Sequence, residues 1–257
     1  MSNIRNIPMQ DLSFLKQKFD DSISDIDKVA SFGSEHSRVL NDLIGVISVD
    51  LNRAVKGTNS EQKVNNVLDQ IKKLDEHPEL KPLSSTVYGQ SVALIVSAFE
   101  SSMNDLFIFV IDKHPSLIKW PEKEIKISTD LIQFGFDSLG EFLLKNIKEK
   151  INFQNIEDVK RFLSEYFKIS ISSLNQEETD SLIFYSQLRH LVVHNASVVD
   201  KRFSIKLEEL KHINTVLIGK TVCDTKYPFD LEDYKKAKEV FSKFFQEILS
   251  EIENKLK

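Results

Sequence analysis

Apolar side chains along residues 91–111 recur at helical spacing. Taking about 100° per residue, Val92, Val96, Phe99, Met103, Phe107 and Val110 fall within about 80° of one another. That stripe predicts a buried helix of roughly 25 residues, and the interruptions at Glu100 and Asp105 argue for a core helix rather than a membrane span. Just past Pro82, the hydroxyls of Ser84, Ser85 and Thr86 are candidate N-caps, so residues 80–86 read as a connector followed by a helix start. A boundary is expected near residue 82. Upstream, residues 9–19, 22–55 (interrupted at Gly33 and Gly45) and 61–74 carry amphipathic patterns, expected as a helical N-terminal extension covering 1–82.

Downstream, Pro115 and Pro121 bracket a turn, and 138–151 and 156–167 read as helices, the second with Asn155 as N-cap. Together they are expected to form an insertion, about residues 115–175, within a helical domain of residues 83–257. A polar run at 172–180 precedes a segment of helical period at 181–194. Short β-branched patches at 203–205, 215–218 and 221–222 predict a small hairpin or extended segment. Residues 231–256 close the chain as an amphipathic helix opened by Pro228 and Asp230, with Phe241, Phe244, Phe245, Ile248 and Ile252 facing inward. Only seven Gly and six Pro among 257 residues, beside eighteen Phe, agree with long helices and few tight turns. The expected fold class is all-α.

A net charge of −5 provides no global basic field, so any anion site must be local. The single cysteine, Cys223, excludes an intramolecular disulfide, and with no signal-peptide pattern the expected compartment is the cytoplasm. Walker and dinucleotide glycine patterns, H-E-x-x-H and G-x-S-x-G are all absent. What remains is Gln187-Leu188-Arg189-His190-Leu191-Val192-Val193-His194-Asn195, where an Arg and two His share six residues of an apolar helix end. With Leu188 at zero, Phe184 and Val192 lie within about 40° on either side and mark the core face. Arg189 falls near about +100°, His190 about −160°, His194 about −120° and Ser186 about +160°, all directed away from that face. Val193, near about +140°, is an apolar residue among them, which suggests that another helix covers this surface.

Arg and His at a helix C-terminus also serve as ordinary caps that complement the macrodipole. Zinc is a second alternative, since His190 and His194 stand at i, i+4; the motif has no carboxylate and Cys223 alone could add a thiolate, so no metal and no cofactor are expected.

Arg189, four intervening residues and His194, with a polar residue after the Arg and Asn195 after the His, near the end of a helix that follows a long apolar helix, resembles the HEPN superfamily of α-helical nucleases. Within it, the layout is most similar to the RiboL-PSP type of bacterial defence and toxin systems. The resemblance covers about residues 84–257. It implies an up-and-down helical bundle, a homodimer in which the two motif helices meet, and metal-independent cleavage of RNA. Family roles carry over to Arg189, His194 and, as the polar residue after the Arg, His190. One toxin subfamily has a Tyr two residues after the His; Ala196 stands there in this chain, so regulation through that Tyr is not implied.

The chemistry of these side chains agrees. RNA carries its own nucleophile, the 2′-OH, so cleavage needs a base, an acid and positive charge on the pentacoordinate phosphate. Histidine serves as base or acid near neutrality, and a guanidinium donates a fixed fork of hydrogen bonds to phosphate oxygens. The expected activity is an endoribonuclease that leaves 2′,3′-cyclic phosphate and 5′-OH ends, in phage defence or as a toxin, with an antitoxin or defence-system protein as a further partner. Asn195, Glu100 and Ser186 are supporting candidates, and Lys201 and Arg202 are candidates for tracking the RNA backbone. His36, His77, His114 and His212 are isolated and carry no role. The alternative is a non-catalytic HEPN-like module that binds RNA, a nucleotide or a protein; the acidic pI of about 5.8 favours a small or protein-activated target over indiscriminate RNA binding.

Overall fold

The computed structural model describes residues 11–55, 66, 81–118, 139–148, 152–153, 155–171, 173–213 and 215–257. Eight α-helices and no strand occur among them: α1 Leu12–Val55, α2 Lys81–Lys113, α3 Leu139–Lys148, α4 Ile156–Phe162, α5 Gln176–His194, α6 Lys201–Glu208, α7 Thr215–Gly219 and α8 Leu231–Leu256. A 3-10 turn, Pro115–Leu117, follows α2, and α4 runs on into a π-helical turn, Leu163–Phe167.

The centre is α2, which packs against α1, α3, α5 and α8. By length and composition Ser84–Lys113 would also suffice to cross a membrane. In the bundle that apolar surface is used on several sides, as expected of a helix in the middle of a core. Phe99 of α2 meets three rings of α8, Phe241, Phe244 and Phe245, at centroid distances of 5.3, 5.5 and 6.3 Å. Lower down, Phe107 meets Phe162 at 5.1 Å and Phe167 at 6.4 Å, which draws α4 and its π turn into the same core. Within the segment expected as an insertion, α4 and its π turn therefore share the core of the bundle. Asn155 caps α4 as expected, accepting from Glu157 N–H at 3.1 Å. At the start of α3, a Cβ on Gly140 would come within 2.8 Å of the Ile108 backbone, so this close approach to α2 requires glycine.

The N-terminal region differs from its expected segmentation. One helix runs unbroken through Gly33 and Gly45, because an isolated Gly costs a helix only about 1 kcal/mol relative to Ala and no other stop signal accompanies it. Leu15, Phe19, Ile23, Ile26 and Ala30 form its buried stripe against α2 and α8, and Phe19 lies 4.6 Å from Phe245. The first part of the expected extension thus belongs to the main core. Apart from Asn66, the amphipathic pattern at 61–74 lies outside the described residues. The α2 helix begins at Lys81 and carries Pro82 in its first turn, where a missing N–H is tolerated.

No hairpin forms from the expected β-branched patches among the described residues. Residues 203–205 lie in α6 and 215–218 in α7, and the extended structure reduces to one antiparallel bridge between Val198 and Lys226. The reason is local. Asp200 accepts from Phe203 N–H at 2.8 Å and caps α6, and Phe203 is that helix's buried anchor, so capping and one apolar contact outweigh a weak β preference.

At the start of α8, Asp230 caps the helix in a reciprocal box with Asp233. Asp233 is fully buried; it accepts from the Tyr227 hydroxyl at 2.9 Å, the Asp230 N–H at 3.0 Å and Lys220 Nζ at 3.0 Å, and Lys220 also reaches Asp230 at 2.6 Å. Burial pushes the Asp233 carboxyl above its ordinary range against the opposing pull of Lys220, and burial likewise raises the Tyr185 and Tyr227 hydroxyls. Removing the carboxylate strands the Tyr227 hydroxyl and the Asp230 N–H and leaves Lys220 with Asp230 alone. Asp233→Ala should therefore cost about 3 kcal/mol in urea denaturation. A loss below about 1 kcal/mol would mean that water takes over those donors.

Candidate functional site

The helix that carries the candidate chemistry, α5, begins five residues before its sequence expectation. Asn175 accepts from Glu178 N–H at 2.8 Å while Glu178 Oε2 accepts from Asn175 N–H at 3.0 Å, a capping box that turns the polar stretch 176–180 into the first turns of the helix. Lys243 of α8 donates to Glu178 Oε1 at 2.6 Å and holds that carboxyl below its ordinary range. Asp180, buried, accepts from Gln176 Nε2 and from His212 N–H, each at 2.8 Å. These ties, with the buried Leu182, Phe184, Leu188 and Leu191, hold the rotation of α5 about its axis, and so which residues of its last two turns face outward.

His190 and His194 are exposed, their rings 4.7 Å apart and tilted by 48°. Val193, 51% exposed, lies bare beside them, so no described residue of this chain supplies the expected cover. Two residues sit deeper than the helical wheel implies. Arg189 is half-buried, with its Nε sealed from solvent. Ser186 is buried, and its Oγ donates to the Leu182 carbonyl at 2.9 Å. The cause is that α5 packs against α2, α4 and α8, so its buried arc is wider than one face. Glu100 is half-buried on α2, one of those neighbours.

Beyond His194 the chain reverses sharply. Asn195 ends α5 with its N–H on the Leu191 carbonyl at 2.9 Å, and its side-chain amide donates to Asp200 Oδ2 at 2.6 Å. Between them Ala196 and Ser197 both take left-handed backbone, with φ of 50° and 67°. Asp200 thus ties the end of α5 to the start of α6. Its carboxyl is held below the ordinary range first by the Phe203 N–H, then by the Asn195 amide and the charges of His190 and Arg202.

A polar cleft of about 360 Å³ opens beside this turn, and His190, Arg202, Gln187, Lys206, Asn152 and Asn155 are among its lining residues. It brings Ser186, His190 and Arg202 together; Arg189, His194, Asn195, Glu100 and Lys201 are not part of the lining, and Lys201 is exposed. Gln187, Asp200, Lys206 and the two asparagines were not identified from sequence as site residues. Only Gln187, three residues before His190 on the same helix, carried a readable signal. No group of three or more His, Cys, Asp or Glu side chains is placed to hold a metal ion among the described residues, so His190 and His194 have no third ligand there. No protein-family model, curated protein or solved structure matches the chain.

The turn after the motif offers a direct test of its backbone. Ala196 is exposed and carries a Cβ in a conformation that costs an L-residue roughly 1 kcal/mol, so Ala196→Gly should raise stability by about 0.5 kcal/mol or more in urea denaturation. A loss of stability would show that this turn is not maintained in solution.

Proposed function

We propose that this protein is a metal-independent endoribonuclease of the HEPN kind, acting on single-stranded or loop RNA. The observation that carries the reading is the pair of exposed imidazoles, 4.7 Å apart, on the helix that also bears Arg189. One imidazole takes the proton of a 2′-OH, the 2′ oxygen attacks the adjacent phosphorus, and the bond from phosphorus to the 5′ oxygen breaks. The leaving oxygen receives a proton from a second imidazole, giving a 2′,3′-cyclic phosphate and a 5′-hydroxyl. A guanidinium neutralises the non-bridging oxygens as charge builds on them.

On one helix, five residues advance the direction of a side chain by about 500°, which leaves Arg189 and His194 about 140° apart. A second copy of α5 related by a two-fold axis would bring each Arg189 towards the other protomer's His194 and cover both copies of Val193. The proposed active form is therefore a homodimer. Phage defence or growth arrest in the cytoplasm, held in check by an antitoxin or defence-system protein, is the cellular role that accompanies this reading. Half-burial of Arg189 favours one alternative, in which the guanidinium is structural and the protein is a helical module that binds RNA, a nucleotide or a protein without cutting.

His194→Ala should abolish RNA cleavage while changing stability by less than about 0.5 kcal/mol, since His194 is exposed. Cleavage by the native chain should persist in EDTA. Loss on chelation, restored by one particular metal, would replace this mechanism with metal hydrolysis at the two imidazoles.

Mixing Arg189→Ala protein with His194→Ala protein tests the shared site. Folding of the arginine variant is checked first by circular dichroism, because that side chain is half-buried. Partial recovery of cleavage in the mixture is the expected result. A fully active monomer in sedimentation would overturn the dimer.

A further inference from the structure

We infer that the cleft between α5 and α6 is a nucleotide pocket that takes one unit of a single-stranded RNA, with the phosphate on the Arg202 guanidinium and a base edge on the Gln187 amide. The inference rests on the ribonuclease reading only for where that unit lies relative to the cut.

Several polar groups of the cleft are already engaged. Lys206 pairs with Glu209 at 2.6 Å and with Glu157 at 3.7 Å. Asp200 receives the Phe203 N–H on one carboxylate oxygen and the Asn195 amide on the other. Asn155 caps α4 and Ser186 bonds back to its own helix. These groups form a wall whose polarity is satisfied internally. By contrast, the half-buried Gln187 amide has no hydrogen-bond partner and Arg202 no ion pair within 4 Å among the described residues, although Arg202 lies near enough to Asp200 for its charge to act there.

Those two groups are complementary to the two ends of a nucleotide. A guanidinium presents a planar fork that matches two phosphate oxygens, and a primary amide offers one donor and one acceptor to a base edge. The volume, about 360 Å³, lies at the small end of pockets that enclose one ligand and is too small for a duplex. The Asp200 carboxylate beside Arg202 repels additional negative charge, which favours a diester or monophosphate over a triphosphate.

Position along α5 supplies the link to chemistry. Gln187, His190 and His194 stand at i, i+3 and i+7, one stripe on the helix. A nucleotide seated at the Gln187 end places the next phosphate of the strand towards the two imidazoles. The pocket would then select the nucleotide beside the cut, which the paired histidines alone cannot do.

The test measures binding separately from cutting. Full-length His194→Ala protein is titrated with a fluorescein-labelled single-stranded hexaribonucleotide by anisotropy, and with adenosine monophosphate and adenosine triphosphate by calorimetry. Arg202→Gln, on an exposed side chain, should weaken hexamer and monophosphate binding about tenfold, the loss of one charged bidentate contact. Gln187→Ala should weaken both several-fold, and Lys113→Gln, an exposed control, should weaken neither. The triphosphate should bind less well than the monophosphate. Unchanged affinities in both cleft variants would overturn the pocket, and so would binding of the free nucleotides without the hexamer, since the cleft would then serve a soluble ligand. Cleavage by the native chain separates the two readings. Arg202-dependent binding without cleavage keeps the pocket and removes the nuclease, whereas cleavage with KM unchanged in Arg202→Gln keeps the nuclease and removes the pocket.

Discussion

Everything in the bundle depends on α2 being apolar on more than one side. An amphipathic helix with a single buried stripe could pair with one layer of neighbours; α2 instead packs against α1, α3, α5 and α8. The three α8 rings around Phe99 and the α4 and π-turn rings around Phe107 lie about two turns apart on α2, so the same helix positions both groups of rings. Such an interior tolerates little change in volume, because aromatic rings packed at 5–6 Å leave no room to shift. The consequence for function is rigidity: α5 rests on this core, and its outward residues inherit a fixed direction.

Both the direction of α5 and its rotation are set by its buried residues, among them Leu182, Phe184, Leu188 and Leu191, and charge and hydrogen bonds at its N-terminal half add to that hold. The Asn175 and Glu178 box, the Lys243 link and Asp180 all act within the first two turns. The catalytic candidates occupy the last two. The polar groups that orient the helix are thus separate from the two histidines. That division explains why His190 and His194 carry no internal carboxylate partner at hydrogen-bond distance among the described residues, while Glu178 and Asp180 are fully engaged.

Much of the architecture was legible because it rests on periodicity and capping. The stripe on α2, the opening of α8 at Asp230 and the cap at Asn155 follow from residue types at fixed spacing. Misreadings have equally specific causes. The true start of α5 was hidden because a capping box is itself polar, and 172–180 therefore resembled a loop. The β-branched patches after residue 203 resembled strands because short segments carry too few positions to distinguish periods of 2 and 3.6. Ser186 and Arg189 were placed outward by a wheel with one buried face, whereas a helix flanked by three neighbours buries a wider arc. Of the cleft, the sequence marks Ser186, His190 and Arg202 but not their grouping: Asn152, Gln187 and Lys206 come from three segments, and only the tertiary fold brings them together.

The end of α5 shows a compromise between stability and placement. A helix that stopped with Gly at the left-handed position would avoid the cost of two consecutive non-glycine residues at positive φ. Here Ala196 and Ser197 carry that cost, and Asn195 and Asp200 offset part of it by clamping the turn from both sides. The clamp brings the start of α6, and with it Arg202, back alongside His190 within seven residues of the motif. Relieving the strain and keeping the clamp are separable, because the strain lies in φ angles and the clamp in one side-chain hydrogen bond. The turn is held in addition by the backbone, with Ser197 N–H on the Leu191 carbonyl and Tyr227 N–H on the Ser197 carbonyl, each at 2.9 Å, so Asp200 acts together with the strained residues in setting the cleft.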